Sequence, residues 1–160
     1  MELRAAQFAR VVGLGGCVVT RLLLHPPMSQ RTIDQFMTRS PHTIGHEQTL
    51  TVAHRLMSES EIRHLPVLER GRLIGIVSQR DLHMVQTLGN VDPDRVQVNQ
   101  AMTEGAFSVD VSAPLQAVAA TMAQHKYGCV VVLEHERVVG VFTATDALRV
   151  LSDLLAEQPS

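Results

Sequence analysis

Two segments of the chain place a hydroxyl residue three positions before an aspartate, directly after a glycine and two apolar residues. The first is Gly75–Asp81, with Ser78 as the hydroxyl residue, and the second is Gly140–Asp146, with Thr143. A helix that begins here offers free backbone N–H groups and the positive end of its dipole to a phosphate. The aspartate, one turn further, can accept hydrogen bonds from two ribose hydroxyls. The pattern therefore favours a site for a nucleotide.

Helix capping is the alternative interpretation of the same residues. Serine or threonine at the N-cap with an acid at the third helical position resembles a capping box, which satisfies free backbone N–H groups. A capping box prefers glutamate or glutamine at that position, whereas both segments have the shorter aspartate, Asp81 and Asp146. This choice mildly favours a ligand, and capping alone stays open.

The two segments belong to an internal repeat with an offset of 65 residues. Residues 33–88 align without a gap on residues 98–153, and Met37-Thr38 aligns with Met102-Thr103. Self-similarity at a fixed offset indicates one supersecondary unit used twice. Two copies are too few for a solenoid, so we expect them to pack against each other as one pseudo-symmetric body.

Each repeat is predicted to run strand, helix, strand, strand, helix, which gives a small α/β (α+β) sandwich. Because a unit of this size buries little surface alone, the two units should dock sheet against sheet and share a core. The predicted domains are an N-terminal extension over 1–29, repeat 1 over 30–90, a linker over 91–97 and repeat 2 over 98–156. In sequence order the predicted elements are a strand at His42–Ile44, a helix from Leu50 to Met57, strands at Leu65–Leu68 and Leu73–Val77, a helix over Gln79–Leu88, a strand at Phe107–Val109, a helix with Pro114 in its first turn, strands at Val130–Leu133 and Val138–Phe142, and a helix over Ala144–Ala156.

Composition excludes several classes of function. The 160 residues carry a net charge of −2 and 3% aromatic residues, without the basic surface that nucleic-acid binding needs. Cys17 and Cys129 form no metal pattern, and the histidines lack ligand spacing, so no metal site is expected. Two such cysteines fit a reduced, cytoplasmic setting. No glycine loop for phosphate hydrolysis and no nucleophile–base set stands out, so the chain is not expected to be an enzyme.

The first 30 residues allow three interpretations. The apolar run Val11–Leu24 is too short to span a bilayer, which makes membrane insertion unexpected. Leu14–Cys17 loosely resembles a lipoprotein cleavage box and would give a lipid-anchored form. A loosely docked extension and a start at Met28 are the other two possibilities.

Taken together, these residues resemble a tandem pair of CBS domains, a Bateman module, over residues 30–155. The resemblance rests on Phe36-Met37-Thr38 and Ala101-Met102-Thr103, on His64-Leu65-Pro66-Val67, and on the two glycine-to-aspartate segments. It implies two β-α-β-β-α repeats packed sheet to sheet around a cleft for an adenosine derivative. The candidate ligands are AMP, ADP, ATP, S-adenosylmethionine, NAD and cyclic di-AMP, none of them an obligatory cofactor.

The resemblance also assigns roles to residues. Asp81 and Asp146 would hold ribose hydroxyls, and Lys126 lies just before the second strand, where relatives place a basic residue that reaches a phosphate. Two interpretations of Arg80 and Lys126 stay open: they converge on one phosphate group, or they are solvated surface charges. Arg80 aligns with uncharged Thr145, so we expect the two clefts to differ. The remaining candidates are Ser78 and Thr143 near ribose or phosphate, Thr43, Ile44, Ser108 and Val109 at the adenine, and Pro66 and Val131 on the apolar wall.

The expected function is therefore regulation. The chain would be a nucleotide-sensing homodimer that acts on an unidentified partner protein through a ligand-dependent rearrangement of its two halves. The alternative is a ligand-free dimerisation or scaffold module in which the aspartates only cap helices.

Overall fold

The computed structural model describes residues 31–87 and 92–156. They form four α-helices, eight β-strands and a one-turn 3-10 helix at the start of each repeat. The predicted N-terminal extension, with its alternatives, lies outside the described residues. In chain order the elements are the 3-10 turn Ile33–Gln35, β1 (Thr38–Arg39), β2 (Ile44–Gly45), α1 (Leu50–Glu59), β3 (His64–Glu69), β4 (Arg72–Ser78), α2 (Gln79–Thr87), the 3-10 turn Val98–Gln100, β5 (Thr103–Glu104), β6 (Ser108–Asp110), α3 (Leu115–His125), β7 (Cys129–Glu134), β8 (Arg137–Thr143) and α4 (Ala144–Ala156).

The predicted order of elements in each repeat is confirmed, and no predicted bound differs from the observed one by more than two residues. One detail was wrong. Pro114 is the N-cap of α3 rather than a residue of its first turn, with an extended backbone at φ −61° and ψ 125°. Both β-hairpin tips have two residues with positive φ, Arg70-Gly71 and His135-Glu136, as a type I′ turn requires. The second tip adopts this turn without a glycine.

The strands form two four-stranded sheets with matching orders, β2-β3-β4-β5 and β6-β7-β8-β1. In each sheet the first two strands are parallel and the others antiparallel. The short strands β1 and β5 are exchanged, because each precedes one repeat and pairs with the last strand of the other repeat's hairpin. Thr38 lies opposite Val141, and Thr103 lies opposite Ile76. The two pairs are equivalent under the 65-residue offset, because Thr38 corresponds to Thr103 and Ile76 to Val141.

Backbone hydrogen bonds extend this exchange beyond the strands. The N–H of Ile33 donates to the carbonyl of Ala113 at 2.9 Å, and the N–H of Val98 donates to the carbonyl of Gln48 at 2.8 Å. These two bonds are again equivalent under the 65-residue offset. The leading segment of each repeat is thus anchored on the partner repeat, which ties the two halves into one pseudo-symmetric body.

Two glycines make room for the exchanged strands. An added Cβ at Gly75 would lie 2.6 Å from the carbonyl oxygen of Thr103 and 2.9 Å from Sδ of Met102. An added Cβ at Gly140 would collide with Sδ of Met37. The glycine of each glycine-to-aspartate segment is therefore needed for close approach of the exchanged strand.

Each repeat has its own hydrophobic core between its sheet and its helices. The cluster in repeat 1 includes Leu50, Leu65 and Val98, and the cluster in repeat 2 includes Ile33 and Phe142. Val98 and Ile33 come from the exchanged leading segments, so each core contains residues of the other repeat. The expectation of one core shared between the sheets is replaced by two separate cores.

Candidate functional site

Asp81 lies in the first turn of α2 and closes a reciprocal cap with Ser78. Its Oδ2 accepts hydrogen bonds from the backbone N–H of Ser78 at 2.8 Å and from the hydroxyl of Ser78 at 2.6 Å. The backbone N–H of Asp81 donates back to the Ser78 hydroxyl at 3.3 Å. Capping is thus confirmed as one role of this segment. Within the described part of the chain, Oδ1 of Asp81 has no hydrogen-bond partner, so half of the carboxylate remains available.

Asp146 repeats this geometry at the start of α4. Its Oδ2 accepts from the backbone N–H of Thr143 at 2.9 Å and from the Thr143 hydroxyl at 2.7 Å. Its Oδ1, however, accepts a hydrogen bond from a guanidinium nitrogen of Arg149 at 3.0 Å. The Asp146 side chain is 10% exposed, whereas that of Arg149 is 73% exposed. Both oxygens of this carboxylate are therefore engaged.

Strand alternation assigns the residues beneath the two caps to the face of each sheet opposite its core. On β3, Leu65 and Val67 join the core, so His64 and Pro66 lie on the other face. Nε2 of His64 lies 3.3 Å from the position of a Cβ added at Gly128, in repeat 2, which shows that this face meets the other repeat. Cys129 and Val131 occupy the equivalent positions on β7. The predicted wall residues Pro66 and Val131 are fully buried here.

His64 is a residue of the site that the sequence analysis did not single out. Burial lowers the pKa of its imidazole, and the charge of Asp81 partly offsets this effect by favouring the protonated form. Arg63 lowers the pKa further. Near neutral pH the ring is therefore neutral, with one nitrogen able to donate and the other able to accept a hydrogen bond. The sequence signal for His64 was its position directly before the apolar run Leu65–Val67.

Cys129 is the repeat 2 counterpart of His64. Burial, together with the nearby charge of Asp146, raises the pKa of its thiol to about 12. A thiol held in its protonated form is a poor nucleophile and a poor metal ligand. The two equivalent positions thus differ in chemistry, with a titratable donor beside Asp81 and an inert sulfur beside Asp146.

The remaining predicted residues divide by exposure. Ile44 is buried in the core of repeat 1, and Val109 packs against the core of repeat 2, so neither side chain faces a cleft. Thr43 is half-buried. Arg80 and Lys126 are exposed, and Lys126 is the left-handed C-cap of α3. Their proposed convergence on a phosphate stays a prediction.

An aromatic stack follows Lys126 in repeat 2. The ring of Tyr127 stacks on Phe107 at 5.1 Å and on His125 at 5.4 Å between ring centroids. Tyr127 is 41% exposed and precedes β7. Repeat 1 has no aromatic ring at the position equivalent to Tyr127, Ile62, which adds to the difference between the two halves.

A cavity of about 350 Å³ lies between the repeats, within the range of small-molecule pockets. Two of its lining residues, Arg72 at the start of β4 and Glu136 in the second hairpin tip, form an ion pair of 3.3 Å. Of the predicted site residues, Ser108 lines this cavity, and Asp81 and Asp146 do not. Its lining comprises Arg72, Leu73, Ile74, Gly105, Ala106, Ser108, Leu133 and Glu136.

Among the residues that the structure describes, no three His, Cys, Asp or Glu side chains are grouped so that they could hold a metal ion. In the same residues, no helix is both long enough and apolar enough to cross a membrane.

The fold, the doubled motif and the exchanged strands define a pair of CBS domains. The CBS domain family matches residues 33–86 and 98–153, and the chain belongs to this family. It is similar to Hypoxic response protein 1 of Mycobacterium tuberculosis, with 28% identity over 123 residues that cover 76% of this chain and 86% of the relative. The crystal structure of a putative acetoin utilization protein from Vibrio cholerae superimposes with a TM-score of 0.71 at 32% identity, covering 81% of this chain and 99% of that one.

Two structural neighbours are complexes with adenosine compounds. CBSX2 in complex with AMP has a TM-score of 0.68 at 22% identity and covers 78% of this chain and 98% of that one. A CBS domain pair in complex with 5′-methylthioadenosine and S-adenosyl-L-methionine has a TM-score of 0.68 at 21% identity, with coverages of 78% and 98%. At these identities the neighbours establish the fold.

Proposed function

We propose that this chain is a regulatory module that binds an adenosine nucleotide and transmits its occupancy to a partner protein. The observation that carries the proposal is the free Oδ1 of Asp81 at the N-terminus of α2. A carboxylate held by its own helix cap and open on its other oxygen is preorganised to accept ribose hydroxyls. The helix dipole favours a phosphate beside it. The AMP and S-adenosylmethionine complexes of the structural neighbours support this class of ligand.

The partner step follows from the position of the site. His64 lies where the two repeats meet, and it is close enough to Asp81 for that charge to affect its pKa, so a ligand held by both would contact both halves and favour one relative orientation. Such a ligand shifts the equilibrium only by its difference in affinity for the two orientations. No catalytic group is needed for this role. Cytoplasm is the compartment that we assign, because a buried free thiol such as Cys129 persists in a reducing setting.

A homodimer is the proposed oligomeric state. Leu148, Leu151 and Leu155 are 66%, 50% and 62% exposed and follow one another at helical spacing along one stripe of α4. We assign a second copy of the chain to this stripe, since a net charge of only −2 opposes self-association weakly. Light scattering after gel filtration should give twice the chain mass for the wild type and the single chain mass for Leu151→Glu. A monomeric wild type would contradict the assignment.

Thermal shift with AMP, ADP, ATP, S-adenosylmethionine and NAD tests the main proposal. At least one of them should raise the melting temperature of the wild type. The Asp81→Ala variant should bind that compound about ten- to a hundredfold more weakly, because it loses charge-assisted hydrogen bonds of about 1.5–3 kcal/mol. If none of the five raises the melting temperature, nucleotide sensing is wrong.

The ligand-free scaffold is the second candidate, and the reciprocal caps at Ser78 and Thr143 favour it. It predicts that Asp81→Ala and Asp146→Ala each lower stability by about 0.5–2 kcal/mol, the usual value of a helix cap. It also predicts that no nucleotide stabilises either the wild type or the variants. Loss of stability alone fits both candidates, so the ligand response decides between them.

A further inference from the structure

Both oxygens of the Asp146 carboxylate accept hydrogen bonds from residues at the start of α4. Oδ2 accepts two hydrogen bonds from Thr143, and Oδ1 accepts one from Arg149, three residues further along α4. Residues three apart on a helix are neighbours on its surface, so this bond needs no rearrangement of the backbone. Oδ1 therefore keeps one lone pair instead of two, so only one ribose hydroxyl could donate to it unless the guanidinium is displaced.

Repeat 1 lacks this obstacle. The residue equivalent to Arg149 is Met84, which carries no donor and is 63% exposed. Among the described residues nothing donates to Oδ1 of Asp81. The strand residues beneath the two caps differ in the same direction, because His64 can hydrogen-bond to a ligand whereas the buried thiol of Cys129 cannot do so effectively.

We propose that Arg149 is a specificity-determining residue that restricts strong adenosine binding to the Asp81 site, so that one ligand binds tightly per chain. This inference rests on the proposed function. Because the Arg149 side chain is 73% exposed, its ion pair with Asp146 is weak, so Arg149 blocks the Asp146 carboxylate only in part. The expected penalty at the Asp146 site is therefore about fivefold in Kd.

The test exchanges the two equivalent residues and uses AMP as the probe in isothermal titration calorimetry. Arg149→Met gives repeat 2 the residue of repeat 1, and Met84→Arg gives repeat 1 the residue of repeat 2. Both positions are exposed, so neither change should affect folding, which circular dichroism checks. The wild type should show one strong site per chain that is lost in Asp81→Asn.

Each variant has a defined expected result. Arg149→Met should tighten the weak site about fivefold, and Met84→Arg should weaken the strong site by a similar factor. Two equal sites in the wild type, or unchanged Kd values in Arg149→Met, would overturn the role of Arg149 while nucleotide binding stands. A wild type that binds no AMP, and none of the other four adenosine compounds in the thermal shift assay, would overturn the proposed function itself.

Discussion

Alanine substitutions at Gly75 and Gly140 test the exchange of strands β1 and β5. The structure predicts that the two substitutions lower the free energy of unfolding by different amounts. An alanine at Gly75 would meet the backbone carbonyl oxygen of Thr103 at 2.6 Å, and this atom moves only with its strand. An alanine at Gly140 would collide with Sδ of Met37 and meet its Cγ at 2.9 Å, both atoms of a flexible side chain. It would also lie 3.2 Å from the carbonyl oxygen of Thr38, a tight contact that a shift of a few tenths of an ångström relieves.

Overpacking of a core costs about 1–3 kcal/mol. We therefore expect Gly75→Ala to lose about 3 kcal/mol of unfolding free energy or more, and Gly140→Ala about 1 kcal/mol. For a chain of this size the corresponding falls in Tm are about 6–12 °C and 2–4 °C. Thermal and urea unfolding followed by circular dichroism at 222 nm measures both.

Double variants identify the colliding atoms. In a Met37→Ala background the side chain of Met37 is gone and only the 3.2 Å contact with the Thr38 carbonyl remains, so Gly140→Ala should lose most of its cost, a coupling of about 0.5–1 kcal/mol. In a Met102→Ala background the carbonyl of Thr103 remains, so Gly75→Ala should keep most of its cost. Equal costs for both glycines without rescue by Met37→Ala would refute this packing of the exchanged strands.

Three further predictions concern the groups around the site. The folded protein lowers the pKa of His64, so the unfolded chain binds more protons as the pH falls below the ordinary value of 6.5. The free energy of unfolding should therefore decrease as the pH drops below about 6.5. In urea titrations at about pH 7.5 and 5.5, His64→Gln should show a smaller decrease than the wild type. An equal loss in the variant would contradict this origin. In a Cys17→Ser background, Cys129 should resist a thiol reagent at about pH 8 in the folded state, since its pKa is about 12, and should react once guanidinium unfolds the chain. Rapid labelling of the folded protein would show that the thiol is accessible and contradict its burial. Glu136→Gln removes the ion pair with Arg72 and should cost no more than about 1 kcal/mol, because both side chains are more than three-quarters exposed; a larger fall in Tm would mean that the hairpin tips hold the repeats together.

The sequence predicted the architecture well because its signals are local. Helical spacing, the hairpins and the glycine-to-aspartate segments each specify structure within a few residues, and the bounds of α4 are confirmed to the residue. The exchange of β1 and β5 was not predicted, since strands of two residues have no periodicity and their pairing is set by contacts far away in the sequence. Gly75 and Gly140 were noted in the sequence as parts of a motif. The structure shows that glycine is needed there because the exchanged strands approach closely.

From the sequence, the two carboxylates of the candidate site and its wall residues Pro66 and Val131 were named, but not the side chains that make the two caps differ. His64 faces the other repeat only once strand alternation and sheet packing are combined, and neither is visible from residue types alone. The ion pair between Arg149 and Asp146 has an ordinary i, i+3 spacing and could have been anticipated.

The most direct measurement compares AMP with 2′,3′-dideoxy-AMP, which lacks both ribose hydroxyls, by calorimetry on the wild type and on Asp81→Asn. If the free oxygen of Asp81 accepts a ribose hydroxyl, AMP should bind the wild type about ten- to a hundredfold more tightly than the dideoxy compound. In Asp81→Asn that preference should largely disappear. Equal affinity of the wild type for the two compounds, or an unchanged preference in Asp81→Asn, would contradict sugar recognition by this carboxylate.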